Sequence, residues 1–85
     1  MKKNTVTKEQ IEKLYKESSK GFIKVGDKTC LCHCILPNGF VLIEHSSCVD
    51  AVNYDKSIGE DLCKKRIQDK MWELEGYLLQ SKLNS

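Results

Sequence analysis

No apolar run in this chain approaches the roughly 20 residues that a membrane-spanning helix needs. The first residues, Met1-Lys2-Lys3-Asn4-Thr5, lack the apolar stretch of an export signal. These absences point to the cytoplasm, with no membrane partner. Charge of one sign is scarce: 14 basic against 12 acidic residues leave a net +2, too little for the basic stripe of a dedicated nucleic-acid binder. Internal repeats and low-complexity segments are missing as well. The chain has no glycine-rich phosphate loop, no Ser/His/Asp arrangement and no paired carboxylates in an apolar context. No catalytic residue, metal site or cofactor is therefore expected, and the chain reads as a binding protein rather than an enzyme. Proline is almost lacking: the single Pro37 sits far from the C-terminal third, so no residue there breaks a helix.

What remains is an ordinary globular composition, 85 residues at 40% hydrophobic and 31% charged. That supports a single domain over residues 1–85 with one modest core. Its stability margin is thin, and self-association is a common way to widen it. Thr7-Lys8-Glu9-Gln10 reads as a capping box, with Gln10 reaching back, and Ile11, Leu14 and Tyr15 follow at helical spacing. A short helix over 5–17 is expected, ended by Ser18-Ser19-Lys20-Gly21. Two β-type runs flank Pro37-Asn38-Gly39, a strong hairpin signal within 22–46. Residues 22–25 are a candidate third, edge strand. Both faces of the hairpin are apolar, so cover is needed on both, more than two helices of one chain easily supply. Ser57-Ile58-Gly59-Glu60 reads as a second capping box, opening a long helix over 57–83. The fold class is α+β: short helix, β-hairpin or three-stranded antiparallel sheet, long C-terminal helix.

At about 100° per residue, the long helix carries two apolar stripes. Cys63, Ile67, Met71, Leu74 and Leu78 form one, expected on the hairpin. Ile58, Leu62, Trp72, Leu79 and Leu83 fall on nearly the opposite side, with Gly76 among them. One buried face is normal for a helix; a second needs another neighbour. The spacing 72, 76, 79, 83 is that of a helix-packing seam. A glycine there costs about 1 kcal/mol against alanine, a cost that a closely approaching partner helix offsets. Either the first helix covers this side or a partner does, and the chain is expected to form a homo-oligomer through it.

Cys30-Leu31-Cys32-His33-Cys34 invites a metal reading. On a strand, however, alternate residues stand about 6.6 Å apart on one face, whereas zinc ligands converge at about 2.3 Å from the ion. Reduced thiols filling a sheet face are the simpler reading. Five cysteines in a chain without an export signal are not expected to pair. His33 points to the other face, free to pair across the hairpin. A Cys48–His45 nucleophile pair has no third orienting group. Lys64, Lys65, Arg66 and Lys70 alternate with acids and read as a solvated face. Asn38, Cys48, Asp50, Asn53 and Asp55 are the candidate rim for a small ligand.

Several blocks together carry a resemblance over residues 5–83: Thr7-Lys8-Glu9-Gln10-Ile11, Leu36-Pro37-Asn38-Gly39-Phe40, Ser47-Cys48-Val49-Asp50, Asn53-Tyr54-Asp55 and Trp72-Glu73-Leu74-Glu75-Gly76-Tyr77-Leu78-Leu79. The chain closely resembles the family of small phage proteins named for gene product forty-nine of one short-tailed phage and gene sixty-six of another. Ala51 departs from the family pattern, which has proline there. The resemblance implies phage or prophage origin and no established biochemical activity. It directs the functional expectation to an accessory protein that binds and inhibits or sequesters a host factor of the defence type. That factor is a protein or a small signalling nucleotide. The alternative is a nucleic-acid-associated or regulatory phage protein.

Overall fold

Thr7 opens the first helix as the sequence predicts. In the computed structural model, which describes residues 5–84, its hydroxyl accepts the Gln10 N–H at 3.1 Å. The reciprocal half of the box does not form. Gln10 instead donates from Nε2 to Glu75 Oε1 at 2.9 Å, tying this helix, α1 (Lys8–Glu17), to the long one. Ser18 ends α1, donating its N–H to the Tyr15 carbonyl and its hydroxyl to the Leu14 carbonyl. With Ser18 already extended, the chain passes directly into β1 (Ser19–Val25). Lys20 and Gly21 are therefore strand rather than linker, and the edge strand is longer than 22–25.

Gly26, at φ 64°, supplies the left-handed residue of the turn into β2 (Thr29–Ile35). The Pro37-Asn38-Gly39 loop closes the next hairpin, with β3 at Val41–Ser47. Gly39 donates to the Leu36 carbonyl, and Leu36 to the Phe40 carbonyl, both at 2.8 Å. The sheet is antiparallel in the order β1-β2-β3. A 3-10 turn at Ala51–Asn53 leads into α2 (Lys56–Leu83). The second capping box is corrected: Asp55, not Ser57, is the N-cap, because its carboxylate reaches the N–H groups of both Ser57 and Ile58.

Strand register decides what lies where. Residues directly opposite across antiparallel strands share a face. Cys30, Cys32 and Cys34 of β2 therefore lie between Lys24, Phe22 and Lys20 of β1 and Ser46, Glu44 and Leu42 of β3. α2 crosses this face along β3 and β2, and α1 packs against α2. The core comprises Ile11, Leu36, Leu42, Ile67, Met71 and four cysteines, Cys30, Cys32, Cys34 and Cys63. At 28 residues α2 is about 42 Å long, while seven-residue strands extend about 23 Å. The helix thus overruns the sheet, and the molecule measures 50 × 23 × 19 Å. This corrects one member of the inner stripe. Met71 is fully buried and Leu74 half-buried, but Leu78 is 47% exposed, because it lies beyond the end of the strands.

Candidate functional site

The 50–55 connection is built from two capped turns. Asp50 caps the 3-10 turn, its Oδ1 accepting the Val52 N–H at 3.0 Å. Ala51 is the first residue of that turn, a position where proline fits as well, so its departure from the family pattern leaves the geometry intact. Asp55 Oδ1 accepts from the Ser57 N–H at 2.9 Å, the Ser57 hydroxyl at 2.8 Å and the Ile58 N–H at 3.3 Å. The Ser57 hydroxyl above all, and then the Ile58 N–H, hold this carboxyl below its ordinary value. Cys48 donates its thiol to the Asp50 carbonyl at 3.2 Å and its N–H to the Lys28 carbonyl at 2.9 Å.

A cleft of about 110 Å³ opens beside these turns, lined by Cys48, Asn53, Asp55, Ile58 and Leu62 among others. Sequence reasoning had kept the rim residues apart from Ile58 and Leu62; the structure brings them together. Asn38 does not join them. It lies in the β2–β3 turn, about 20 Å away at the far end of the strands, its Oδ1 accepting the Phe40 N–H at 3.0 Å. A volume of 110 Å³ holds a few waters and is well under the ~300 Å³ at which small-molecule sites begin. The two carboxylates are already occupied by backbone donors, so their work here is to hold the chain's entry into α2.

The cysteines spread along β2 as a regular strand requires, all three on the α2 side and at most 3% exposed. Among the described residues no three His, Cys, Asp or Glu groups come together as a metal site would. Cys63 donates to the Cys30 carbonyl at 3.3 Å. Burial is the main cause that pushes the Cys30, Cys32 and Cys63 thiols up, away from the reactive thiolate. Cys48 and His45 do not pair: His45 belongs to the far face of the sheet, and the Cys48 thiol is held by Asp50. In the native protein, a charged alkylating reagent is expected to modify Cys48 alone within minutes, the other four only on unfolding. Mass spectrometry after a timed quench measures this; several rapid adducts would contradict the core assignment.

The basic residues of α2 mostly have partners within the chain. Lys64 Nζ stands 5.3 Å from the centre of the Tyr15 ring, Arg66 donates to the His45 carbonyl, and Lys70 pairs with Glu73 at 3.9 Å. This spending of charge on local contacts weakens the case for a nucleic-acid surface.

Two apolar surfaces remain outside the core. On the outer side of α2, Ile58, Leu62, Trp72 and Leu83 are each at least 40% exposed. The N-terminal segment and α1 reach only its end, where Val6 and Gln10 share a shallow cleft with Glu75, Leu78 and Leu79. A side chain built at Gly76 would meet nothing within 4 Å among the described residues, so no approach among them explains that glycine. The close approach lies at Gly59, whose Cβ would come 3.2 Å from the Cys30 Cβ.

The second surface is the side of the sheet turned away from α2. Ile23, Val25, Leu31, Ile35, Val41 and Ile43 lie there, and neither helix packs on it. Its signal was the alternation of uncharged residues in every strand, but which face the helix covers is a tertiary matter. His33 stands opposite Ile43 of β3 and Gly21 of β1, and its ring lies over Gly21, where an added Cβ would collide with it.

No helix among the described residues is long and apolar enough to cross a membrane. No curated protein and no solved structure matches this chain. A family does: residues 3–83, nearly the whole chain and every block that shapes the hairpin, the capped connection and α2, match the phage protein (N4 Gp49/phage Sf6 gene 66) family, and the chain belongs to it.

Proposed function

We propose that this phage-family protein is a non-enzymatic accessory protein that binds a host protein and keeps it from acting, in the manner of a defence inhibitor. The observation that carries this reading is the outer stripe of α2, where Trp72 lies exposed one turn from Gly76 on a helix whose opposite side is anchored in the core. A rigid helix that presents an aromatic anchor next to a glycine suits a partner helix, because the glycine lets the two backbones come close. The carboxylates of the 50–55 connection, already taken up as caps by backbone donors, favour a macromolecule over a small signalling nucleotide.

Gly76→Ala separates this role from a structural one. In the free chain it is expected to raise stability by about 0.5–1 kcal/mol, since alanine is the better helix former and the space is open. At the host contact the added methyl is expected to weaken binding. The direct test places a photo-crosslinking amino acid at position 72 during infection. A discrete adduct with one host protein is expected, reduced by Gly76→Ala and abolished by Leu79→Asp. Absence of any heterologous adduct from the expressed, folded protein would overturn the proposal.

A further inference from the structure

We infer that the open face of the sheet seats a second copy of this chain, packed face to face on the same surface. This does not depend on the host contact proposed for α2, which lies on the other side of the molecule. Four residues from each strand form the face, and none of these twelve is Asp, Glu, Lys or Arg, in a chain that is 31% charged. The same strands do carry charge, but register turns it to the other side: Lys20, Lys24 and Glu44 all share the face of the cysteines. Lys20 and Lys24 then lie over the Tyr15 and Tyr54 rings, at 4.6 and 4.8 Å. A solvated sheet face ordinarily shows the reverse arrangement, polar outward and apolar inward.

Absence of charge is what makes this surface complementary to itself. Two copies related by a two-fold axis bring the residues near that axis against their own equivalents, so a fixed charge there would meet its like. A face without Asp, Glu, Lys or Arg avoids that penalty between fixed charges, and it offers a charged partner little to pair with. Its contents suit sheet packing: Ile23, Val25, Leu31, Ile35, Val41 and Ile43 are aliphatic, five of them 42–60% exposed. Two such faces interdigitate at about 10 Å separation. The His33 ring, folded down over Gly21, fills the one place where a missing side chain would leave a hollow.

Size agrees with this occupant. Seven-residue strands and three-strand width make a footprint of roughly 20 by 15 Å. Pairing two copies would bury on the order of 1,000 Å² once side-chain relief is included, the lower bound for a specific interface. On the β3 edge, strand addition is hindered because Arg66 already takes the His45 carbonyl.

The test is solution mass by light scattering at about 50 µM, with the full chain. Twice the 9.7 kDa chain mass is expected. Ile43→Asp is expected to give a folded monomer by circular dichroism, with the dimer dissociation constant raised about a hundredfold or more, while Trp72→Ala leaves the dimer intact. A second readout keeps the proposal open to refutation if Ile43→Asp fails to fold: a photo-crosslinker at position 43 should give a covalent homodimer, and one at position 72 should not. Three results would each overturn it. These are a wild-type monomer, a dimer unaffected by Ile43→Asp but lost in Trp72→Ala, and crosslinks from position 43 to host protein alone.

Discussion

Ile67→Ala is expected to lower the melting temperature by about 15–25 °C. Ile67 is 1% exposed, in the middle of the α2 stripe that covers the cysteine face of the sheet. Truncating a buried isoleucine to alanine costs about 2–5 kcal/mol, part lost transfer energy and part cavity. Collapse around the hole is hindered, since a helix that rests on two strands of a sheet cannot move in locally. A domain of this length holds only about 4–13 kcal/mol in total, and in a small domain each kilocalorie shifts the melting point by about 4–8 °C. The core is small, and four of its nine buried hydrophobic residues are cysteines, which bury less surface than leucine or isoleucine. Thermal unfolding followed by circular dichroism checks the prediction. A loss below about 1 kcal/mol would mean that α2 does not seat on the sheet through this stripe.

Gly59→Val is expected to destabilise the chain by about 2–4 kcal/mol, while Gly59→Ala stays within about 1 kcal/mol of the parent. Gly59 is buried in the first turns of α2, where the helix comes close to β2. An alanine Cβ would stand 3.2 Å from the Cys30 Cβ, a contact that a shift of a few tenths of an ångström relieves. Alanine also gains about 1 kcal/mol of helix propensity, which offsets the crowding. Valine adds two γ carbons held in one rotamer, with the strand on one side and the next helical turn on the other. Overpacking of this kind costs about 1–3 kcal/mol, and valine recovers less propensity than alanine. Urea titration of the three proteins measures the order, alanine near the parent and valine well below it. Valine equal to alanine would show that the helix end is free to lift from the sheet.

The two glycines of α2 also show where local rules stop. Neither is required by its own backbone conformation, so helix propensity does not say which of them meets a neighbour. The seam spacing marks Gly76 for approach by a partner helix, whereas the approach within the chain falls at Gly59, off that seam, against Cys30. The distinction depends on where β2 lies in space, and β2 is about 30 residues away along the chain. The same limit explains the cap of α2. Ser57 and Asp55 are both good N-caps, and the 3-10 turn before them, which sets where the extended backbone ends, decided for Asp55.

By itself the sequence determined whatever is governed by residues within about four positions of one another. Thr7 caps α1 because a hydroxyl can reach an N–H three residues on. Pro37-Asn38-Gly39 turns the hairpin because proline and glycine restrict or free their own φ. Cys63, Ile67 and Met71 share a helical face through the 3.6-residue period, and the alternating cysteines share a strand face through the two-residue period. Tertiary structure alone decided which of two apolar sheet faces lies under α2, that Gln10 serves Glu75 rather than its own cap, and that Leu78 runs past the end of the strands. Each of these depends on the distance between elements remote in sequence, and that distance is set by the packing of the whole core rather than by any local pattern.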